Sequence, residues 1–326
     1  MTLLGMIGLD LDTNPANLFS TVTSGASIVA GAGRSSGNAL HASTSGGAGG
    51  TVNLTASQAT LAAAMAIDAV GAIGTVNIFN FLDNGTSQVT IRLNLDGSVS
   101  ALRGATVLGS SSPGAVAYGI YQHVEALVTI NNTTGAVQVW VNFVSVLNLT
   151  GQNTRQSANN SANQIAFSPG ESGSNGCDIT YGTTQAGDLR VECVLPNGAG
   201  THTQFTPSAG SNWQNVDEVP PNDDTTHNDS STAGQLDTFV HAALAGIPSS
   251  ITAVAVQVRG RNTTTGSASM APVLRSGTTD SVGTTVSQNT TYGDFQSIYL
   301  TDPNTGSAWA NAAAVNATEI GYKKIT

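Results

Sequence analysis

The chain has 326 residues, enough for about two domains, with 9% charged side chains, 37 glycines, two cysteines and a net charge of −10 at pH 7. That acidity repels phosphate backbones and anionic lipid, so neither nucleic-acid nor membrane binding is expected. A hydrophobic content of 40% is too high for a disordered chain, and glycine without a triplet period excludes collagen.

From the N-terminus, Leu3 to Leu54 carries short apolar runs broken by Gly and Ser, which suit short strands and long loops. The stretch from Met1 to Pro15 has no basic n-region or small-residue cleavage site and reads as a strand rather than a signal peptide. Gly33-Arg34-Ser35-Ser36-Gly37 matches the Gly-x-Ser-x-Gly string, but a glycine-rich loop precedes it and a polar strand follows, the wrong context for a nucleophile elbow. Ser45 to Gly50 reads as a flexible loop without the spacing of a phosphate cradle. The apolar run Ala59–Ile78 is rich in Ala and Gly and holds Asp68, which at a bilayer centre costs about 2.5 to 3.5 kcal/mol, so a membrane span is not expected. Within it Ala56 to Val70 suits helix by its alanines and strand by its alternation, and its neighbours favour strand.

Gln88 to Leu95 alternates, meets Asp96-Gly97 and returns as Ser98 to Leu102, a strong hairpin signal. Tyr121 to Leu149 alternates on both arms about Asn131 to Gly135 and reads as two antiparallel strands. Thr150 to Gln164 reads as a surface loop. Near Gly187 the texture changes. Strands are expected at Asp188 to Pro196, Asp237 to Ala242, Ile251 to Gly260, Ala271 to Arg275 and Asp294 to Leu300. The expectation is an all-β chain of two β-sandwiches, 1–186 and 187–326. Cys177 and Cys193 could face one another across a hairpin, with two separate thiols the favoured alternative.

Gly37-Asn38-Ala39-Leu40, the Asp96-Gly97 hairpin and Val137-Gln138-Val139-Trp140-Val141-Asn142 resemble a laminin-G or concanavalin-like jelly roll, with Phe143 where that family usually has glycine. Gly187-Asp188-Leu189-Arg190-Val191, Leu195 to Gly200, Phe205-Thr206-Pro207-Ser208, Asn212 to Glu218, Asp224-Thr225 and Asp302-Pro303 with Trp309 resemble a module that follows such jelly rolls in tailed-bacteriophage virion proteins. The resemblance implies a non-enzymatic virion structural protein of the tail or capsid surface. It would assemble with copies of itself as a trimer and with other virion proteins. The alternative is a virion adhesin that binds host surface glycans or a receptor.

Two sites stand out by residue type. Asp217, Asp223, Asp224 and Asp229 form the densest acidic stretch and offer the oxygen ligands that Ca²⁺ takes, although without the alternate-residue spacing of a calcium loop. Trp140, Trp213 and Trp309 could stack on a sugar, Trp213 foremost, although a tryptophan in a sandwich strand is more often core or interface. No catalytic residue and no obligatory cofactor are expected: the five histidines lack zinc spacing, and a carboxylate pair for glycoside cleavage cannot be assigned along the chain.

Overall fold

A computed structural model describes residues 2–71 and 74–326. Met1 of the N-terminal reading and Ala72 and Ile73 of the apolar run lie outside the described residues. The chain is all-β and divides into two compact units, Met1–Val191 and Glu192–Thr326.

The first unit is two stacked antiparallel sheets. Among the described residues, sheet A runs in the order Val144–Gln152, Gly135–Val141, Tyr121–Thr129, Thr60–Asp68, Asn175–Gly182, Ala39–Ala42 and Ala26–Val29, and Leu3–Ile7 also pairs with Asn175–Gly182. Sheet B runs Thr106–Ser110, Val99–Arg103, Thr86–Leu93, Val76–Asp83, Ala162–Phe167, Gly50–Gln58 and Thr21–Val22. Period-two alternation sends Phe79, Phe81, Ile91 and Phe167 of sheet B and Leu61, Met65, Ile67, Val124 and Val139 of sheet A into one core. Each such side chain contributes roughly 1.5 to 3 kcal/mol. Phe79 and Phe167 meet edge to face with centroids 5.8 Å apart.

The Asp96-Gly97 hairpin forms as the alternation requires: Thr86–Leu93 pairs with Val99–Arg103, and Asp96 accepts the Ser98 N–H at 2.9 Å. The Tyr121 to Leu149 stretch holds three strands, not two. Val141 pairs with Val144 across Asn142 and Phe143, both at positive φ, 47° and 68°. That is the backbone of a two-residue hairpin turn, which glycine ordinarily occupies. Phe143 takes the family's glycine position with its backbone in the left-handed region. The loop expected from Thr150 to Gln164 is shorter at both ends, because Val144–Gln152 and Ala162–Phe167 extend into it.

The alanine-rich stretch is the strand Thr60–Asp68 in the middle of sheet A. Its outward alanines, Ala62, Ala64 and Ala66, are as buried as its inward residues. The segment from Thr183 to Val191 explains this, because it is bound over the outer face of sheet A as a strap. Glu125, paired with Ala64 in register, accepts the backbone N–H of Ala186 at 2.6 Å and of Gly187 at 3.0 Å. Arg34 pairs with Asp188 and donates to the Leu189 carbonyl at 2.9 Å. Asp178 accepts the Val191 N–H at 2.9 Å. Alanine leaves room beneath the strap that a larger side chain would fill. The strand expected over Asp188 to Pro196 is therefore absent before Pro196: its first residues close the first unit, and the units divide after Val191 rather than after Ala186.

The second unit has a sheet in the order Pro196–Thr203, Leu236–His241, Glu319–Lys324, Ser269–Ser276 and Thr279–Val282, with Val286–Ser287 also on Ser269–Ser276. The pair Val254–Gly260 and Gly293–Tyr299 forms a separate ribbon. Phe205, Phe239, Val256, Leu274, Tyr299, Trp309 and Tyr322 make the core, and the Trp309 indole N–H donates to the Tyr299 carbonyl at 2.9 Å. Cys177 and Cys193 are thiols and do not form a disulfide.

Removing the acceptor that holds the strap leaves two amides without a partner. Glu125→Ala is expected to lower the unfolding free energy by about 3 kcal/mol, and Glu125→Gln, which keeps one acceptor, by less. Urea denaturation measures both, and an unchanged midpoint for Glu125→Ala would show that this carboxylate does not hold the strap.

Candidate functional site

The side chains singled out in the sequence are not brought together. Asp223 forms a bidentate pair with Arg259, at 2.6 and 3.0 Å, and Arg259 also reaches Asp294 at 2.7 Å. Asp224 accepts from Arg261 at 2.6 Å and from the Tyr292 hydroxyl at 2.9 Å. The guanidinium carbons of Arg259 and Arg261 lie 5.2 and 5.0 Å from the Tyr292 ring centroid. Asp229 stands 3.2 Å from the His227 imidazole. Among the described residues no group of three or more His, Cys, Asp or Glu side chains is arranged to hold a metal ion, so Asp217, Asp223, Asp224 and Asp229 do not make a calcium site. Arginine supplies the positive charge that calcium was expected to supply. Trp213 lies on the single helical turn Asn212–Asn215, whose entry Ser211 and Gln214 cap, and it packs half-buried against the core of the second unit. It anchors that turn rather than offering a free ring to a sugar.

Sheet A carries ionisable groups on its outer face, and several of them are paired, while Asp68 Oδ1 is buried without a hydrogen-bond partner. Tyr121, Asp68, Asn175, His41 and Ser27 stand in one cross-strand row, with His41 Nδ1 2.9 Å from the Asn175 amide oxygen. Beside that row Arg34 is shared by Asp178, at 2.6 Å, and Asp188. Burial alone would raise Asp188, but its hydrogen bond to Arg34 and the guanidinium charge hold it below the usual carboxylate range. His123 is 2% exposed and its Nε2 has no partner. Burial drives its pKa down to about 4, against the opposing pull of Asp188 and Asp178. Ser35 of the Gly-x-Ser-x-Gly string contacts Arg190, and the Gly33 N–H closes a turn on the Gly37 carbonyl, so the string forms a docking loop and no nucleophile elbow. This face serves to dock the strap.

The outer face of sheet B is open around Asn77. In Val76–Asp83 both Ile78 and Phe79 are buried, and the register slips between Asn77 and Phe79. This bulge turns Asn77 and Asn80 to the same outward face, three residues apart where strict alternation would put two. With Thr51, Ala166 and Ser168 they line a groove of about 160 Å³. Its far wall is the glycine loop, Gly46, Gly47, Gly49 and Gly50, with Thr23. That loop is pinned rather than flexible. Thr23 Oγ1 accepts from the Gly49 N–H at 2.6 Å and donates to its carbonyl at 3.0 Å, while Glu171 accepts the Gly46 N–H at 3.2 Å. Gly49 has no alternative, because a Cβ there would stand 1.9 Å from the Phe167 carbonyl oxygen.

The chemistry of the groove is that of uncharged hydrogen-bonding groups. Asn80 Oδ1 accepts from Ser87 at 2.5 Å and Thr90 at 3.2 Å, which leaves its Nδ2 as the donor it can offer. Asn77 is exposed and Thr51 is partly so. No carboxylate, imidazole, thiol or amine lines the groove. Sequence reasoning passed over Asn77 and Asn80; the signal available was Val-Asn-Ile-Phe-Asn-Phe, where polar residues recur at three instead of two.

No protein-family profile matches the chain, and no curated protein sequence does. Solved structures with some likeness include a mutant of Trypanosoma rangeli sialidase displaying trans-sialidase activity, with TM-score 0.40 and 13% identity over 57% of this chain and 31% of that one. Another is titled sialidase, with TM-score 0.37 and 14% identity over 50% of this chain and 16% of that one. Alginate lyase Aly36B gives TM-score 0.37 and 14% identity over 58% of this chain and 98% of its own. The chain spans less than a third of the length of either sialidase. These are glycan-processing enzymes by name and not virion proteins, which corrects the expectation of a non-enzymatic bacteriophage structural protein and of a virion adhesin. At such scores no activity or substrate passes from them to this chain.

Two measurements check the electrostatic readings. His123 stays neutral in the folded chain while the unfolded chain protonates it near pH 6.5, so stability is expected to fall by about 3 kcal/mol between pH 6.5 and 4, at roughly 1.4 kcal/mol per pKa unit. Below that window the folded chain is protonated as well and the loss ends. The same curve for His123→Gln should lack that component; identical slopes would exclude it. With Asp223 and Asp224 held by arginine, neither EDTA nor added Ca²⁺ is expected to move the melting temperature, and a Ca²⁺-dependent rise would restore the calcium reading.

Proposed function

We propose that this chain binds carbohydrate through the sheet B groove of its first unit, without cleaving it. The observation that carries the proposal is the lining of the groove: amides, hydroxyls and glycine backbone beside Ala166 and Phe167, with no ionisable group among them. Sugars present dense hydroxyls that both donate and accept, and asparagine and threonine match them on both counts. A groove whose own lining holds neither acid nor base offers no group for proton transfer, which supports binding rather than hydrolysis or elimination. At about 160 Å³ it is smaller than the roughly 300 Å³ at which ligand pockets usually begin. It therefore suits part of a polysaccharide lying across the sheet rather than an enclosed small molecule.

Pinning favours the same reading. The bulge sets Asn77 and Asn80, and Thr23 and Glu171 fix the facing loop, so little ordering remains to be done on binding. A glycan array followed by calorimetry on the hits tests the proposal. Asn80→Ala and Asn77→Ala should each weaken binding by roughly 3- to 10-fold with the fold unchanged, the loss of about one neutral hydrogen bond. Folded protein that binds nothing on the array, or binding insensitive to both changes, would overturn it.

A further inference from the structure

We infer that the glycan unit in this groove is acidic and that Arg92 is the residue that selects for its carboxylate; the inference rests on the carbohydrate reading above. Arg92 lies directly opposite Asn77 in the register of adjacent strands, and Ser100 follows it across the next strand. Directly opposed residues share a face and stand about 4.5 to 5.5 Å apart, so Arg92 stands beside Asn77, on the strand that flanks the groove on the side away from Ala166 and Thr51.

Arg92 is held but not neutralised. Its Nε donates to the Asn94 amide oxygen at 3.1 Å. Asn94 is fixed in turn, donating to Ser98 at 3.0 Å and Ser100 at 2.6 Å. Among the described residues Arg92, like Arg103, Arg155 and Arg190, has no carboxylate partner, whereas Arg34, Arg259, Arg261 and Arg275 each pair with at least one aspartate. Of the four without one, Arg92 is the one beside Asn77. The terminal nitrogens of Arg92 therefore keep their donors, in the planar fork that fits a carboxylate with two parallel hydrogen bonds. A neutral sugar makes no use of that fork.

The net charge of −10 sharpens the argument. At long range the protein repels an anionic polymer, so general attraction cannot supply a preference for acidic sugars. A local, oriented guanidinium beside an uncharged groove can. Other members of the row, Ser100 and Ser110, are hydroxyls hydrogen-bonded to each other at 2.8 Å and bring no competing charge.

The test compares oligosaccharides of a uronic acid with the same oligosaccharides after reduction of their carboxyl groups, by calorimetry at low and moderate salt. Wild type should bind the uronate at least about tenfold more tightly than the reduced form, and Arg92→Gln should bind the two alike. Asn80→Ala should weaken both. If wild type binds both forms equally while Asn80→Ala still weakens them, the acidic preference is overturned and the groove stands. If neither form binds, the groove reading and this inference fall together. Should Arg92→Gln not fold, the comparison on wild type decides alone.

Discussion

The first unit depends on one constraint: the outer face of sheet A is covered, so polar groups beneath the cover need partners there, and those of the strap find them while His123 Nε2 and Asp68 Oδ1 do not. A strap of irregular chain brings backbone polar groups that no ladder satisfies: Glu125 and Asp178 accept its N–H groups, and Arg34 donates to its Leu189 carbonyl. In a protein with so few charges, three of them spent on one short segment mark where the architecture would otherwise leave buried donors unpaired. The alanines of the central strand follow from the same need, since only a small side chain lets the strap lie close. Gly187 also fits this packing: a Cβ there would stand 3.0 Å from the Phe143 ring, nearer than side chains ordinarily approach.

Sheet B solves the opposite problem. Around Asn77 its outer face has no cover and water can satisfy what the protein does not, whereas Thr90 and Ser100 on the same face are buried and find protein partners. A bulge in Val76–Asp83 uses this freedom by sending two inward residues in succession and leaving two asparagines on the open side. The two faces of the sandwich thus differ: on one, Glu125, Arg34 and Asp178 hold the strap, and on the other, uncharged donors and acceptors stand beside the Arg92 guanidinium.

How much of this was legible along the chain follows from the range of each interaction. Alternation over Gln88 to Leu95 and the Asp96-Gly97 turn act between neighbours, and both strands formed where the residues said. The strap was invisible, since Glu125 lies some sixty positions from the amides it holds, and Asp188 to Val191 has the texture of a strand in its own right. The acidic stretch misled for the same reason. Its aspartates looked unpaired because Arg259 and Arg261 arrive from a distant strand. Asn77 and Asn80 were legible in principle, as a break in period, but a break reads first as noise.

The position of Asn175–Gly182 in sheet A bears on how the chain is made. This late strand sits between Thr60–Asp68 on one side and Ala39–Ala42 with Leu3–Ile7 on the other. Until residue 182 has emerged from the ribosome, Ala39–Ala42 with Ala26–Val29, and Leu3–Ile7, have no strand to join them to Thr60–Asp68. Such long-range pairing folds slowly and leaves strand edges open for longer. The strap, synthesised last within the unit, then closes over a sheet that could not have been completed without the strand just before it.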